Sequence, residues 1–201
     1  MTSSREEFLM KRKREGFYKK AKEINVRARS YFKLEQLDNK FNLIKEGMNI
    51  IDLGCAPGGW LEYIDKKLEG KKAKIIGIDL LEIKRQSDFS SKVEIIEDNF
   101  NNIEEYNLNK FDLVLSDMAP EFSGDSRADR GRCHKLNIAT IKFCEKHLKQ
   151  GGNLAFKTFG GEDLEYVRTK AKKLFKEIKE YKPTSSQGKS AELFIFCQKK
   201  L

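Results

Sequence analysis

Residues 52–60 read DLGCAPGGW and follow the apolar run MNII at 48–51. Three glycines and a proline directly behind apolar residues predict a buried strand that ends in a tight turn and leads into a helix. Such a turn presents backbone N–H groups and the positive end of a helix dipole at the carboxyl edge of a sheet. We therefore predict that a nucleotide-like ligand lies close to this backbone.

The residues around the glycines discriminate among the ligands that bind such turns. A phosphate loop for ATP or GTP requires Lys and then Ser or Thr after its last glycine, whereas Trp60 and Leu61 follow Gly59 here. A dinucleotide fingerprint requires a central glycine, and this chain has Ala56 in that place. S-adenosylmethionine (SAM), a nucleoside that carries an amino acid and no phosphate, remains as the predicted cofactor. The glycines are expected to give its methionine and adenosine portions room.

Short runs rich in Ile, Val, Leu and Phe alternate with helical patterns, which is typical of βα units. We predict an α/β fold with a seven-stranded, mostly parallel sheet, an antiparallel final hairpin and helices on both faces. The final pair of strands fits the Rossmann-like fold of class I SAM-dependent methyltransferases better than a symmetric six-stranded dinucleotide fold. The predicted strands are 48–53, 74–79, 93–96, 111–116, 152–157, 177–182 and 192–198, and the predicted helices are 28–39, 59–68, 133–149 and 162–175.

Charged residues follow several of the predicted strands. Asp79 ends the second strand, where a carboxylate accepts hydrogen bonds from a ribose diol in both NAD and SAM sites. Asp98 lies just beyond the third strand, where it could accept from an adenine amino group or cap a helix. Asp117 follows the fourth strand and Lys157 ends the fifth, so both should face the same crevice. Taken alone, this pair would also fit a plain surface ion pair.

Positive charge is concentrated at the start of the chain. The formal net charge is +9, and residues 1–33 hold eleven Lys and Arg against four Glu. This segment contributes +7, which leaves +2 for the other 168 residues. A cationic segment on a nearly neutral body is typical of a nucleic-acid binder, with an anionic membrane surface as the alternative. We expect one domain over residues 1–201, with a binding segment at about 1–33.

Several features narrow the class of protein further. No run reaches the roughly 20 apolar residues of a membrane span, so we expect a soluble protein without a membrane partner. The cysteines show no C-x-x-C spacing, and the two histidines do not complete a ligand set with them. We expect four reduced thiols in a cytoplasmic protein, no metal site and a monomer.

Residues 118–132 (MAPEFSGDSRADRGR) lack clear periodicity and are long for a loop between a strand and a helix. Their content of Gly, Ser, Asp and Arg is typical of a functional lid or binding loop. A disordered insertion is the alternative.

Several uncommon strings stand in a fixed order along the chain: RSYFKL at 29–34, DLGCAPGGW, SDMAP at 116–120, FK at 156–157 and SAE at 190–192. With these strings, the chain resembles the FtsJ-type family of RNA ribose 2′-O-methyltransferases over about residues 27–198. The resemblance implies a catalytic Lys-Asp-Lys-Glu tetrad, here Lys33, Asp117, Lys157 and Glu192. It also implies a SAM site that includes Gly58, Trp60, Asp79, Asp98 and Asp117.

The chemistry of ribose methylation gives the tetrad a purpose. A ribose hydroxyl is a poor nucleophile at neutral pH, so the enzyme must position the 2′-oxygen and accept its proton. A lysine with its free pKa of ~10.4 is a poor base unless burial or a second cation lowers that pKa. We expect Lys33 to supply the repulsion, Asp117 and Glu192 to orient the ammonium groups, and Lys157 to accept the proton.

We therefore expect an RNA 2′-O-methyltransferase that acts on a uridine of large-subunit (23S-type) ribosomal RNA. A tRNA substrate is an alternative with the same chemistry, because nothing in these residues reads a base. A non-catalytic ribosome-assembly factor that binds RNA is the alternative from another class, although all four tetrad residue types are present. The cationic N-terminus disfavours a small-molecule methyltransferase.

Overall fold

The computed structural model describes residues 26–84, 86–90, 92–121, 123–161, 164–184 and 191–201. Its strands are β1 (Asn49–Leu53), β2 (Lys74–Asp79), β3 (Val93–Glu97), β4 (Phe111–Ser116), β5 (Leu148–Phe159), β6 (Phe175–Tyr181) and β7 (Glu192–Lys200). Its α-helices are α1 (Ser30–Phe41), α2 (Gly59–Lys67), α3 (Ser126–His147) and α4 (Leu164–Lys172), with short 3₁₀ turns at Gln86–Asp88 and Phe100–Glu105. Most of the basic segment at 1–33 lies outside the described residues.

One sheet joins the seven strands in the order β3-β2-β1-β4-β5-β7-β6. The pairs among β1 to β5 are parallel, whereas β7 runs antiparallel to both β5 and β6. This arrangement confirms the predicted mostly parallel sheet with an antiparallel final hairpin. Because β1 pairs with β2 on one side and with β4 on the other, the connections diverge there and open a crevice at the carboxyl edge.

Helices cover both faces of the sheet, as predicted. The core under α1 and α2 includes Leu34, Leu37, Ile50, Leu61 and Ile64. The core under α3 and α4 includes Ile51, Ile141, Cys144, Val167 and Ala171. Since successive strand residues point to opposite faces, Asp52 shares the face of Ile50 and lies on the side of α1 and α2. In the ranges that the structure describes, no helix is long and apolar enough to cross a membrane.

A buried carboxylate ties α1 to α2. Asp38, near the end of α1, accepts a hydrogen bond from the Tyr63 hydroxyl at 2.7 Å and another from the Ile44 backbone N–H at 3.0 Å. Lys67, at the end of α2, forms an ion pair with the same carboxylate. These partners satisfy a charge that would otherwise be costly to bury, and they fix the position of α1 over the sheet.

The prediction of a loop over residues 118–132 is wrong in its second half, which is helical. α3 begins at Ser126 instead of residue 133. Asp125 caps it, since its side chain accepts hydrogen bonds from the N–H groups of Arg127 at 2.9 Å and Ala128 at 3.2 Å. The first turns of α3 are mostly polar and include Gly131, so they show no apolar repeat. The sequence did contain one signal for this helix start: Asp125, because Asp is a preferred residue at the N-cap of a helix.

Replacing Asp38 by Ala should lower the free energy of unfolding by about 3 kcal/mol, because the Tyr63 hydroxyl and the Ile44 N–H lose their buried acceptor. Urea unfolding followed by circular dichroism measures this loss. Glu165→Ala is a suitable control, since Glu165 pairs with Arg168 and Lys172 on the surface and should contribute less than about 1 kcal/mol. Equal losses in the two variants would contradict the role given to Asp38.

Candidate active site

A cavity of about 310 Å³ opens at the carboxyl edge of the sheet. The residues that form it come from the loop after β1, the end of β2, the turn after β3 and the end of β4, and they include Gly54, Ala56, Asp79, Asn99, Asp117 and Met118. Two predicted cofactor residues, Asp79 and Asp117, therefore line the cavity. The other three, Gly58, Trp60 and Asp98, are not part of this lining.

Gly54, the first glycine of the DLGCAPGGW loop, leaves room for Met118, which belongs to the loop after β4. Gly54 has a φ of +77°, and a Cβ built on it would lie 2.6 Å from Cγ and 2.9 Å from Cα of Met118. A side chain at this position would push the loop after β1 away from the loop after β4. The glycine therefore brings two walls of the cavity into contact.

Asp79 holds its carboxylate at the cavity wall through two backbone donors. One oxygen accepts a hydrogen bond from the Ala56 N–H and the other from the Leu81 N–H, each at 2.9 Å. These bonds connect the loop after β1 with the loop after β2. A carboxylate oxygen that accepts one hydrogen bond keeps a second lone pair, so the geometry fits the predicted contact with a ribose diol.

The side chain of Trp60 packs inside the protein. Trp60 is 2% exposed, its indole N–H donates to the Ser30 carbonyl oxygen at 2.9 Å, and its ring lies 5.8 Å from that of Phe194. The indole therefore anchors the start of α1 to the start of α2. A contact of Trp60 with a cofactor would have to come from its backbone, in the first turn of α2.

Asp98 supports the turn that follows β3. Its carboxylate accepts hydrogen bonds from the Tyr106 hydroxyl at 2.8 Å, the Asn102 side-chain amide at 2.9 Å and the Asn99 N–H at 2.6 Å. The Tyr106 hydroxyl makes the largest contribution to lowering the pKa of Asp98, followed by the Asn99 N–H. Through this turn, Asp98 positions Asn99 and Phe100, which line the cavity.

The four predicted catalytic residues meet in one cluster, which we call the tetrad. The Lys157 Nζ lies 2.9 Å from Asp117 Oδ1. The Lys33 Nζ lies 4.0 Å from Asp117 Oδ2 and 2.8 Å from Glu192 Oε1. Both lysines are largely buried, with exposed fractions of 9% for Lys33 and 7% for Lys157. Ammonium and carboxylate groups therefore alternate along the tetrad.

Cys133 of α3 borders the tetrad, and sequence reasoning gave it no role there. Burial raises the pKa of its thiol to about 11, although the charge of Lys157 lowers it, and Asp117 and Glu192 raise it further. The thiol is therefore neutral at physiological pH. It gives the tetrad an uncharged neighbour on the side of α3.

Asp52 is a further acidic residue of the site that sequence reasoning missed. It is 0% exposed, and neither of its carboxyl oxygens has a hydrogen-bond partner among the described residues. Burial, and then the nearby charges of Asp117 and Asp79, raise the pKa of Asp52 well above its usual value. The two carboxylates that line the cavity, Asp79 and Asp117, fit a ligand with positive charge, and SAM carries both a sulfonium and an ammonium group.

Replacing Asp52 by Asn should change how stability depends on pH. The unfolded carboxyl has a pKa of ~3.9, so above that pH the folded protein retains a proton that the unfolded chain loses. Relative to the Asn variant, the wild type should therefore lose up to about 1.4 kcal/mol of stability per pH unit until the pH passes the folded pKa. Urea unfolding of both proteins from about pH 5 to about pH 8 measures the difference. Parallel pH profiles would show that Asp52 is ionised in the folded protein.

Comparison with known proteins identifies the family. The FtsJ-like methyltransferase family matches residues 26–200. The chain is 37% identical over 204 aligned residues to ribosomal RNA large subunit methyltransferase E of Methanosphaera stadtmanae, with 94% of each chain covered. It is 38% identical to the protein of the same name from Buchnera aphidicola, with 94% of this chain and 93% of the relative covered.

A solved structure agrees with this result. A crystallised candidate ribosomal RNA methyltransferase from Plasmodium falciparum has a TM-score of 0.76 and 28% identity to this chain, over 88% of this chain and 99% of that one. The cavity, the shared carboxylate of Asp117 and these similarities agree with one another. The chain therefore belongs to the FtsJ-like methyltransferase family.

Proposed function

We propose that the chain transfers a methyl group from SAM to a ribose 2′-hydroxyl in RNA, with a uridine of large-subunit ribosomal RNA as its target. One observation carries the proposal: Asp117 lines the cavity and also contacts both Lys33 and Lys157. A cofactor in the cavity and a nucleotide at the tetrad would meet at this carboxylate. The proposal treats residues 1–201 as a single methyltransferase domain.

The proposed cofactor site combines the cavity wall with the start of α2. When bound, SAM supplies an electrophilic methyl group on a positively charged sulfur. Asp79 would accept hydrogen bonds from its ribose, and the backbone at Gly58 and Trp60 would face its carboxylate, because the start of a helix attracts negative charge. Asp98 would act through the turn that carries Asn99.

Lys157 is the proposed proton acceptor. Among the described residues, Lys33 contacts the carboxylates of both Glu192 and Asp117, whereas Lys157 contacts only that of Asp117. Removing a proton from Lys157 therefore disrupts one ion pair, and removing one from Lys33 disrupts two. In its neutral form, Lys157 can accept the proton of the 2′-hydroxyl while Asp117 keeps its Nζ in place. Lys33 and Glu192 would then position the ribose.

One observation favours ribosomal RNA as the substrate, and a second favours RNA of any class. The two relatives are both named ribosomal RNA large subunit methyltransferase E. The segment 1–33 carries a charge of +7 and leads directly into α1, which carries Lys33. A polyanion bound along this segment would be guided toward the tetrad. We propose that this segment binds the RNA, and that the protein acts as a monomer in the cytoplasm.

Incubation with labelled SAM and either large ribosomal subunits or free tRNA tests the proposed activity. Label should enter ribosomal RNA, and mapping should locate it on the 2′-oxygen of a uridine. Label in tRNA alone would move the substrate to that class of RNA. Label in neither RNA would favour a non-catalytic RNA-binding protein.

Replacing Lys157 by Ala should lower the methylation rate by about 100-fold or more, because the reaction loses its general base. The affinity for SAM, measured by calorimetry, should stay within about twofold of the wild type. Lys149 offers a matched control, since its Nζ lies 2.8 Å from the Asp112 carboxylate. This pair also joins β5 to β4, but at the amino ends of the strands, away from the cavity. Lys149→Ala should leave methylation intact, and unchanged turnover in Lys157→Ala would remove Lys157 from the mechanism.

Replacing residues 11–14 (KRKR) by four Gln should weaken RNA binding and flatten its salt dependence. Each lost phosphate contact lowers the slope of log K against log salt by about 0.7 for single-stranded RNA, so four contacts lower it by up to about 3. Fluorescence anisotropy across a salt series measures the slope, and the affinity for SAM should not change. A charge-matched control replaces four exposed lysines that lie away from the cavity: Lys172, Lys173, Lys176 and Lys199. Equal slopes in the two variants would contradict RNA binding by this segment.

A further inference from the structure

Arg27, three residues before α1, contacts the stretch that follows β2, at Lys84, Asp88 and Phe89. Its side chain is 8% exposed, and its Nη2 forms an ion pair with Asp88 Oδ2 at 3.3 Å. Its Nη1 donates a hydrogen bond to the Lys84 carbonyl oxygen. The guanidinium carbon also lies 4.2 Å from the ring centroid of Phe89, at cation–π distance. One guanidinium therefore contacts three residues of that stretch.

Arg27 also holds the end of the DLGCAPGGW loop. Its backbone N–H donates to Glu62 Oε2, in the first turn of α2, at 2.8 Å. A Cβ built on Gly58 would lie 3.2 Å from Arg27 Cδ and 3.2 Å from Phe89 Cζ. Gly58 has a φ of +100°, in the left-handed region that favours glycine. Arg27 and Phe89 therefore pack together against the backbone that leads into α2.

Both segments that Arg27 joins continue into the cavity wall. The loop after β1 contributes Gly54 and Ala56 to the lining, and the stretch after β2 contributes Leu80 and Leu81. Arg27 is not part of that lining. Its contacts with both segments lie behind the two walls, where they can set the spacing between them.

We propose that Arg27 is a positioning residue for the cofactor, which sets the spacing between the loop after β1 and the stretch after β2. The inference rests on the proposed function, because it takes the cavity as the site of SAM. It goes beyond that function by assigning part of the cofactor affinity to a residue outside the cavity.

The chemistry of the site requires arginine in particular. A planar guanidinium can bond a carbonyl and a carboxylate from separate nitrogens while its face lies on an aromatic ring, whereas a lysine presents a single ammonium group. Arg27→Lys would keep the charge opposite Asp88 and lose part of the contact with Lys84 and Phe89. The affinity for the cofactor should therefore fall more in Arg27→Ala than in Arg27→Lys.

Calorimetric binding of S-adenosylhomocysteine (SAH), the demethylated form of SAM, to the full chain without RNA tests the inference. Arg27→Ala should raise the Kd for SAH by about tenfold, and Arg27→Lys by less. With SAM and RNA both saturating, kcat should stay within about twofold of the wild type, while the KM for SAM rises with the Kd for SAH. Arg168→Ala is the matched control, because Arg168 forms ion pairs with Glu165 and Glu180 away from the cavity and should leave the Kd unchanged.

A double variant separates positioning from general loss of structure. Because Phe89 contacts both Arg27 and Gly58, Arg27→Ala combined with Phe89→Ala should raise the Kd for SAH little more than the larger single effect. A merely structural role would instead lower the melting temperature and the fraction of binding-competent protein without changing the Kd of the folded molecules. Where Arg27→Ala does not fold, Arg27→Lys and Phe89→Leu carry the same comparison.

The outcomes distinguish the inference from the proposed function. An unchanged Kd for SAH in folded Arg27→Ala, or a fall in kcat at saturating SAM without a change in Kd, would overturn the positioning role. Wild-type protein that binds SAH but leaves RNA unlabelled would overturn the proposed function, while a raised Kd in Arg27→Ala would still support the positioning role.

Discussion

Two buried lysines share the carboxylate of Asp117, and the arrangement of the elements around it follows from that sharing. A buried ammonium group is costly unless a carboxylate lies beside it. β4 and β5 must therefore be neighbours, so that Lys157 reaches Asp117, and α1 must bring Lys33 to the same group. Glu192 of β7 completes the pairing of Lys33. The charges that we propose for proton transfer are also charges that the fold must neutralise.

The helix that carries Lys33 is fixed along its length, which suits a residue that must be placed accurately. Arg27 holds the chain directly before α1, the Trp60 indole binds the Ser30 carbonyl in its first turn, and Asp38 bonds Tyr63 near its end. Each of these contacts reaches α2 or the loop that leads into it. The loop that borders the cavity and the helix that carries a tetrad lysine therefore form one packed unit.

The sequence predicted the sheet well, because its apolar runs give strong local signals, and the family resemblance named four residues that the fold brings into one cluster. β2 and β4 have the predicted bounds, since their apolar runs end at polar residues. The side-chain roles of Trp60 and Asp98 could not be predicted, because they depend on Ser30 and Tyr106, whose positions only the folded chain determines. The first turns of α3 were missed for lack of an apolar repeat. Asp52 was missed because burial, and not a motif, makes it unusual.

The last of the described strands along the chain is an interior strand of the sheet. β7 lies between β5 and β6, so β6 is connected to the rest of the sheet only through β7. Glu192 arrives with that strand, whereas Lys33 lies in the first helix of the described chain. A chain truncated before β7 would leave an edge of β5 unpaired and Lys33 with one carboxylate fewer. Completion of the sheet and completion of the tetrad thus depend on the same strand, so a chain without β7 has neither.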